Sequence, residues 1–298
     1  MKSIYLEEIK KGNKRKISLM IMKKVFRENE KTIAYIGDKT GDVKAEIIDE
    51  KDELIVGDVL ELVGDLDRVF SVKSYKKILN YEMEDYLPCI KTPIEEIMQE
   101  INSITQEEVI SKEGKALNDY FFSNPEFIEK FKKGIGGVSQ HHNYRGGLAE
   151  HTLNVMYLSR VLAERYQCKN REIAILGAKL HDIGKIEELF VDGPFSYTLK
   201  GEIEGHIVIG VSMLEEAFKA NPELYNEDFK ERMKGCIIQH HGKLEYGSPR
   251  PLNMEEAYIV HYGDYIDATM NKITQIKEGV LPGTWSEFDR RIGTKLYL

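Results

Sequence analysis

The residues able to do chemistry in this chain are its histidines and a few aspartates. There are eight histidines, His141, His142, His151, His181, His206, His240, His241 and His261, and none precedes residue 141. Two adjacent pairs mark the pattern, His181-Asp182, with Gly184 and Lys185 just beyond, and His240-His241; Asp264 lies one turn after His261. Imidazole nitrogen suits Mn, Fe, Co, Ni and Zn, and a carboxylate can bridge two such ions. Five histidines and two aspartates fit a pair of ions: His151, His181, Asp182 and Asp264 for one, and Asp182, His206, His240 and His241 for the other, with Asp182 as the bridge. A single His-Asp pair is more commonly a helix cap, so the reading rests on its recurrence with partners from other elements. His261, on the helix of Asp264, reads as structural or as support for a ligand.

These side chains need helices to hold them. Ala174, Gly177, Ala178 and His181 recur at i, i+3, i+4 and i+7, so the helix stops at the His-Asp pair and lets it project into a cleft. Gly146-Gly147 introduces a long helix carrying His151 near its start. Pro93 opens a stripe of Ile94, Ile97, Met98 and Ile101, and further helices are expected near 106–122, 125–133, 149–167, 171–183, 204–220, 228–240 and 254–277. The first eighty residues instead alternate apolar and polar positions, as in Ile17, Leu19 and Ile21 or Val43, Ala45 and Ile47, between Gly- and Asp-rich turns. Five short strands, at about 17–27, 31–37, 43–49, 58–64 and 68–82, suit a small barrel, with the OB-fold as leading form. The expected architecture is a multidomain α and β chain: an N-terminal OB-fold barrel over 1–85, a Pro-marked linker over 86–93, and an all-α domain over 94–298.

Composition narrows the class. The chain has 298 residues, 42% hydrophobic and 31% charged, which excludes disordered and low-complexity classes. Cys89, Cys168 and Cys236 form no CxxC pair, which argues against a disulfide scaffold and for the cytoplasm. No apolar run is long enough for a membrane span, so no membrane partner is expected. The formal net charge of −8 is uneven, because residues 1–80 carry 17 Lys and Arg against 15 Asp and Glu and all the net acidity lies beyond.

The order His151, His181-Asp182, His206, His240-His241 and Asp264 resembles the HD superfamily of metal-dependent phosphohydrolases in its two-metal form. The flanking runs narrow this. His141-His142-Asn143-Tyr144-Arg145-Gly146-Gly147, Lys179 to Lys185, and His240-His241-Gly242-Lys243 through Pro249 resemble the YhaM-type 3′→5′ exoribonucleases, which join an OB-fold to an HD domain. Two positions depart from pattern. Tyr246-Gly247-Ser248-Pro249 replaces the Gly-Tyr-Pro of cyclic-dinucleotide phosphodiesterases, and Gln140 stands where the family has a third histidine.

The resemblance implies hydrolysis of single-stranded RNA from its 3′ end to nucleoside 5′-monophosphates, with single-stranded DNA left open as a second substrate. It implies two divalent ions, Mn foremost with Co, Fe, Ni or Zn as alternatives, and roles for Asp182 and Lys185 in catalysis, Lys185 by contact with phosphate. His142 is a further candidate for contact with substrate: His141 and His142 precede a glycine pair, stand outside the metal set, and could either contact phosphate or merely pack. On the barrel, Lys10, Lys11, Lys14, Arg15, Lys16, Lys23, Lys24, Lys73, Lys76 and Lys77 could line a cationic groove, with Tyr35, Phe70 or Tyr75 as stacking rings. Two other readings are an HD-type nucleotide or cyclic-dinucleotide phosphohydrolase with a regulatory barrel, and a non-catalytic nucleic-acid binding module. The 93–150 stretch shows no chemistry and is assigned to packing, between domains or between subunits of a homo-oligomer.

Overall fold

A computed structural model describes residues 2–9, 15–138 and 141–298; Lys10, Lys11, Lys14, Gln140 and the Arg15 side chain lie outside the described residues. The chain divides into two compact units, Met1–Cys89 with Phe190–Ser196, and Ile90–Leu189 with Tyr197–Leu298.

In the first unit, β1 (Arg15–Glu28), β2 (Lys31–Asp38), β3 (Gly41–Ile48), β4 (Val59–Leu66) and β5 (Phe70–Ile78) form a closed barrel in the order β1-β2-β3-β5-β4. The β3–β5 pairing is parallel and the others antiparallel, an OB-like arrangement. Strand period two turns Leu19, Ile21, Ile36, Ala45, Ile47, Leu60 and Leu62 inward, all fully buried. β1 pairs with both β4 and β2, and its register shifts between Ile21 and Lys23 and between Lys24 and Phe26 supply the bends that let one long strand close the barrel. Phe70 is not a stacking ring: opposite Leu66 at the start of β5, it is fully buried in the barrel core and offers no face to a base.

The second unit is helical: α1 (Ile94–Glu108), α2 (Lys112–Phe122), α3 (Pro125–Lys133), α4 (Gly147–Arg165), α5 (Arg171–Leu180), the single turn α6 (Lys185–Glu188), α7 (Leu199–Ala220), α8 (Glu227–Gln239) and α9 (Glu255–Lys277). The helix expected over 106–122 starts at Lys112, with 106–108 ending α1, because Ser111 caps α2 by accepting from the Gly114 N–H at 2.9 Å. A two-residue hairpin, β6 (Leu189–Phe190) with β7 (Ser196–Tyr197), follows α6. α5 is enclosed, with every residue from Ile173 to Leu180 buried. Its Lys179 is buried too, donating to Thr105 Oγ1 of α1 at 2.9 Å and Asn118 Oδ1 of α2 at 2.6 Å, and burial pushes its pKa down to about 7. These bonds fix the depth of the helix that carries His181-Asp182. Among the described residues no helix is long and apolar enough to cross a membrane, and Cys168 and Cys236 are buried free thiols.

Candidate metal centre

Five elements deliver the predicted residues. His151 lies on α4, His181-Asp182 directly follow α5, His240-His241 directly follow α8, and Asp264 lies on α9. His206 depends on Gly205, whose φ of 70° breaks the helical path of α7 and restarts it with the histidine at the new beginning. The turn after Asp182 lies hard against α7: a Cβ at Gly184 would stand 2.0 Å from the His206 carbonyl oxygen.

The local geometry turns each ring the same way. His181 Nδ1 donates to the Ala178 carbonyl at 2.7 Å and His240 Nδ1 to the Ile237 carbonyl at 2.7 Å, the same i−3 contact at two helix ends. His241 Nδ1 donates to the Tyr246 carbonyl at 2.8 Å. His151 Nδ1 faces Asp267 Oδ2 at 2.6 Å, and His206 Nδ1 faces Glu188 Oε1 at 3.1 Å. Carbonyl and carboxylate oxygens can only accept, so all five rings carry a proton on Nδ1 and turn Nε2 toward the centre.

Those Nε2 atoms converge. His151 and His181 Nε2 are 3.1 Å apart, and His206 and His241 Nε2 are 3.3 Å apart. Asp182 lies between the groups, with Oδ2 3.4 Å from His151 and 3.3 Å from His181, and Oδ1 3.6 Å from both His206 and His240. Asp264 Oδ1 is 3.3 Å from His151 Nε2. All seven predicted ligands are thus brought together, with one oxygen of Asp182 turned to each half. Asp182 Oδ1 and His240 Nε2 are buried with no hydrogen-bond partner among the described residues. Lone pairs facing one another without a proton to share call for a cation, and the nitrogen and oxygen donors fit a divalent transition metal.

The electrostatics agree. Burial opposes charge on His151, but the carboxylates of Asp182, Asp264 and Asp267 override it and hold its pKa well above the usual value. Burial also works to raise Asp182, yet the Lys185 ammonium and the His181 ring hold its carboxyl well below the usual range. Asp264 is likewise held down by His151 against the effect of burial. His240 is kept neutral by burial and by the neighbouring His241 and His181. The site favours positive charge at its centre and anions at its carboxylates.

Two placements differ from the sequence reading, those of Lys185 and His142, and that of His261 agrees with it. Lys185 is buried, its Nζ donating to the Gly136 carbonyl at 2.6 Å and pairing with Asp182 Oδ2 at 2.6 Å, so its charge is held beside the bridge carboxylate. His142 is not free for substrate: Nδ1 lies 2.8 Å from Tyr144 Oη and 3.1 Å from Glu150 Oε2, and Nε2 lies 2.7 Å from Asp267 Oδ2. His261 donates from Nδ1 to the His240 carbonyl at 2.7 Å, a support for that turn. The sequence reading missed Asp267 and Glu188, which orient His151 and His206. Asp267 falls one turn beyond Asp264, and that spacing is the only signal that could have singled it out.

On the barrel, Tyr35 pairs with Lys23 of β1 on one side and Lys44 of β3 on the other, and all three are exposed. Other expected groove lysines are engaged: Lys16 with Glu61, Lys24 with Asp52, Lys73 with Asp65 and Lys77 with Asp58.

A helical unit that presents His, His-Asp and Asp ligands from separate helices around one buried carboxylate is an HD-type metal-binding domain, and the family model described as HD domain matches residues 148–269. The chain is 31% identical to the 3'-5' exoribonuclease YhaM of Bacillus subtilis (strain 168) across 84% of this chain and 82% of that protein. It is 30% identical to the proteins of that name from Bacillus licheniformis and Listeria innocua, with the same coverage of 84% and 82%. The chain belongs to the YhaM 3'-5' exoribonuclease family. Among solved structures there is no significant match.

Proposed function

We propose that the chain is a metal-dependent 3′→5′ exoribonuclease that hydrolyses single-stranded RNA to nucleoside 5′-monophosphates. The observation that carries this reading is the gathering of five inward-turned Nε2 atoms with the two oxygens of Asp182, in a chain whose relatives bear that activity in their name. On this reading His151, His181, Asp182 and Asp264 hold one divalent ion and Asp182, His206, His240 and His241 hold a second, with Mn assigned first and Co, Fe, Ni or Zn sharing the donor preference. When bound, such ions lower the pKa of water and neutralise charge on phosphoryl oxygens.

The protein's own groups supply the rest. The Nδ1 contacts lock the rings before substrate arrives, so no reorganisation is left to the reaction. Lys185, kept charged by Asp182 against the effect of burial, places a fixed positive charge beside the bridge, where it opposes the negative charge that builds on the phosphoryl group. We assign residues 1–85 as the strand-binding domain, 86–93 as the linker and 94–298 as the hydrolytic domain. Tyr35 between Lys23 and Lys44 forms the stacking and phosphate platform, a chemistry that also accepts single-stranded DNA. The reducing cytoplasm is the assigned compartment, a reading that three cysteines without a CxxC pair support.

The test is incubation with 5′- and 3′-labelled single-stranded RNA and DNA across several divalent metals. Stepwise shortening of the 5′-labelled RNA with early release of label from the 3′-labelled RNA is expected with Mn²⁺, and Asp182→Ala should abolish it. Manganese-dependent shortening that survives Asp182→Ala would overturn the site. Early release of a 5′-labelled mononucleotide would overturn the polarity.

A further inference from the structure

His141 is the histidine beside the centre that remains without a role. The backbone that follows it is held by two hydrogen bonds. The Gly136 N–H donates to the His142 carbonyl at 2.8 Å, and the His142 N–H donates to Asn271 Oδ1 at 2.9 Å. His142 adopts a left-handed φ of 48°, and a Cβ on Gly136 would meet the His142 Cβ at 2.7 Å, so this loop has little freedom to turn the ring elsewhere. The His141 ring lies 5.3 Å from that of His151.

The two neighbouring histidines divide sharply in their bonding. Both nitrogens of His142 are engaged by Tyr144, Glu150 and Asp267. Both nitrogens of His141 are buried and have no hydrogen-bond partner among the described residues. Leaving buried polar atoms unpaired is costly, a cost the fold sustains where a ligand offsets it. One donor atom each from His141, His151 and Asp264 lies within 4.8 Å of the others, a spread that a single ion can span.

We propose that His141 is a sixth imidazole ligand of the centre, joining His151 and Asp264 at the first ion. This rests on the reading of that centre as a metal site. The ring adds a neutral nitrogen to a position otherwise held by two histidines and two carboxylates, which favours a transition metal over Mg²⁺ or Ca²⁺.

Manganese binding to the full chain by equilibrium dialysis, with the Co²⁺-loaded protein's visible absorption as a second readout, tests this. His141→Phe keeps an aromatic ring in the same space and removes both nitrogens. It should lose about 10-fold or more in affinity for one ion, the scale on which even outer partners of a ligand act. The Co²⁺ bands should shift as one nitrogen leaves the coordination sphere. In EDTA, where no ion needs the ring, His141→Phe should melt no lower than the unmodified chain. Affinity and Co²⁺ spectrum both unchanged in His141→Phe overturn the proposal while the metal centre stands, and a raised KM with intact metal binding assigns the ring to substrate instead and overturns it equally. No Mn²⁺ binding by the unmodified chain would overturn the metal centre itself.

Discussion

Asp267 decides how His151 behaves without facing the Nε2 cluster. One of its oxygens takes the Nδ1 contact of His151 at 2.6 Å and the Nε2 contact of His142 at 2.7 Å, while the other accepts from Asn154 Nδ2 at 2.7 Å. A carboxylate behind a ligating imidazole fixes its tautomer and raises its basicity. Asp267→Asn keeps the size and removes the charge, so Mn²⁺ affinity should fall by about 10–100-fold. Calorimetric titration with Mn²⁺ checks this, and an affinity within twofold of the parent would remove Asp267 from the site. A second carboxylate gives a pH-dependent expectation in the barrel unit. Burial works to raise Asp85, but the Tyr5 hydroxyl, donating at 2.5 Å, and the Lys2 amide N–H, donating at 2.9 Å, hold its pKa below the ordinary 3.8. Its contribution to stability is therefore complete above pH 3.8 and lost as pH falls through the lower folded-state value. Asp85→Asn should cost about 1–3 kcal/mol at pH 7, and that difference should shrink under acid; urea titrations giving the same difference at pH 7 and pH 3 would refute the assignment. The ligands themselves were legible because seven residues of the right types occur in order. Asp267 and Glu188 were not, since an acid on a helix reads as solvated until its neighbour is known, and the different bonding of His141 and His142 depends on a loop turn that adjacent letters do not encode.

Among the elements, the junction between the turn after α5 and the kinked α7 is the tightest constraint on the site. Gly184 leaves no room for a methyl group, its Cβ position falling 2.0 Å from the His206 carbonyl oxygen and 2.8 Å from the Gly210 nitrogen. Both neighbours are backbone, so α7 must move and carry His206 away from Asp182. Gly184→Ala should destabilise the chain by about 1–3 kcal/mol through overpacking and should lower Mn²⁺ stoichiometry. Gly210→Ala is the control, since its nearest neighbour would be an Ile237 methyl at 3.4 Å, ordinary contact. Equal thermal shifts and full metal content in both variants would show that the junction does not hold the site. Helix bodies followed from apolar spacing more closely than helix ends did. The start of α2 was misplaced because its only mark is Ser111 curling back to Gly114, after the polar Gln106-Glu107-Glu108. The helix expected over 204–220 begins at the kink; the stretch from Leu199 before it was missed, because Thr198 caps it and only a φ of 70° at Gly205 separates the two parts.

At the scale of the whole molecule, a net charge of −8 sits poorly with a polyanionic substrate until it is divided between the units. The acidity falls in the part that gathers Asp182, Asp264 and Asp267 around a cation site, whereas the barrel is close to neutral and displays Lys23, Tyr35 and Lys44 as adjacent cross-strand neighbours. Composition foreshadowed this division, with no histidine before residue 141, but not which ring would face outward, because Tyr35 and Phe70 differ only in strand phase. If the barrel binds the strand and the helical unit cuts it, the two functions should separate by mutation in the intact chain. Tyr35→Ala removes one stacking surface and should weaken single-stranded RNA binding by about 1–3 kcal/mol. Lys23→Ala with Lys44→Ala removes two phosphate contacts, so the slope of log affinity against log salt should become shallower by about 1.4, at roughly 0.7 per phosphate on a single strand. Neither change touches a ligand, so hydrolysis of bis-p-nitrophenyl phosphate should proceed at the parent rate. Fluorescence anisotropy with labelled RNA at several salt concentrations, beside that small-substrate assay, measures both. Unchanged RNA affinity would move the strand to another surface, and equal loss of binding and small-substrate turnover would make the barrel a structural support for the helical unit.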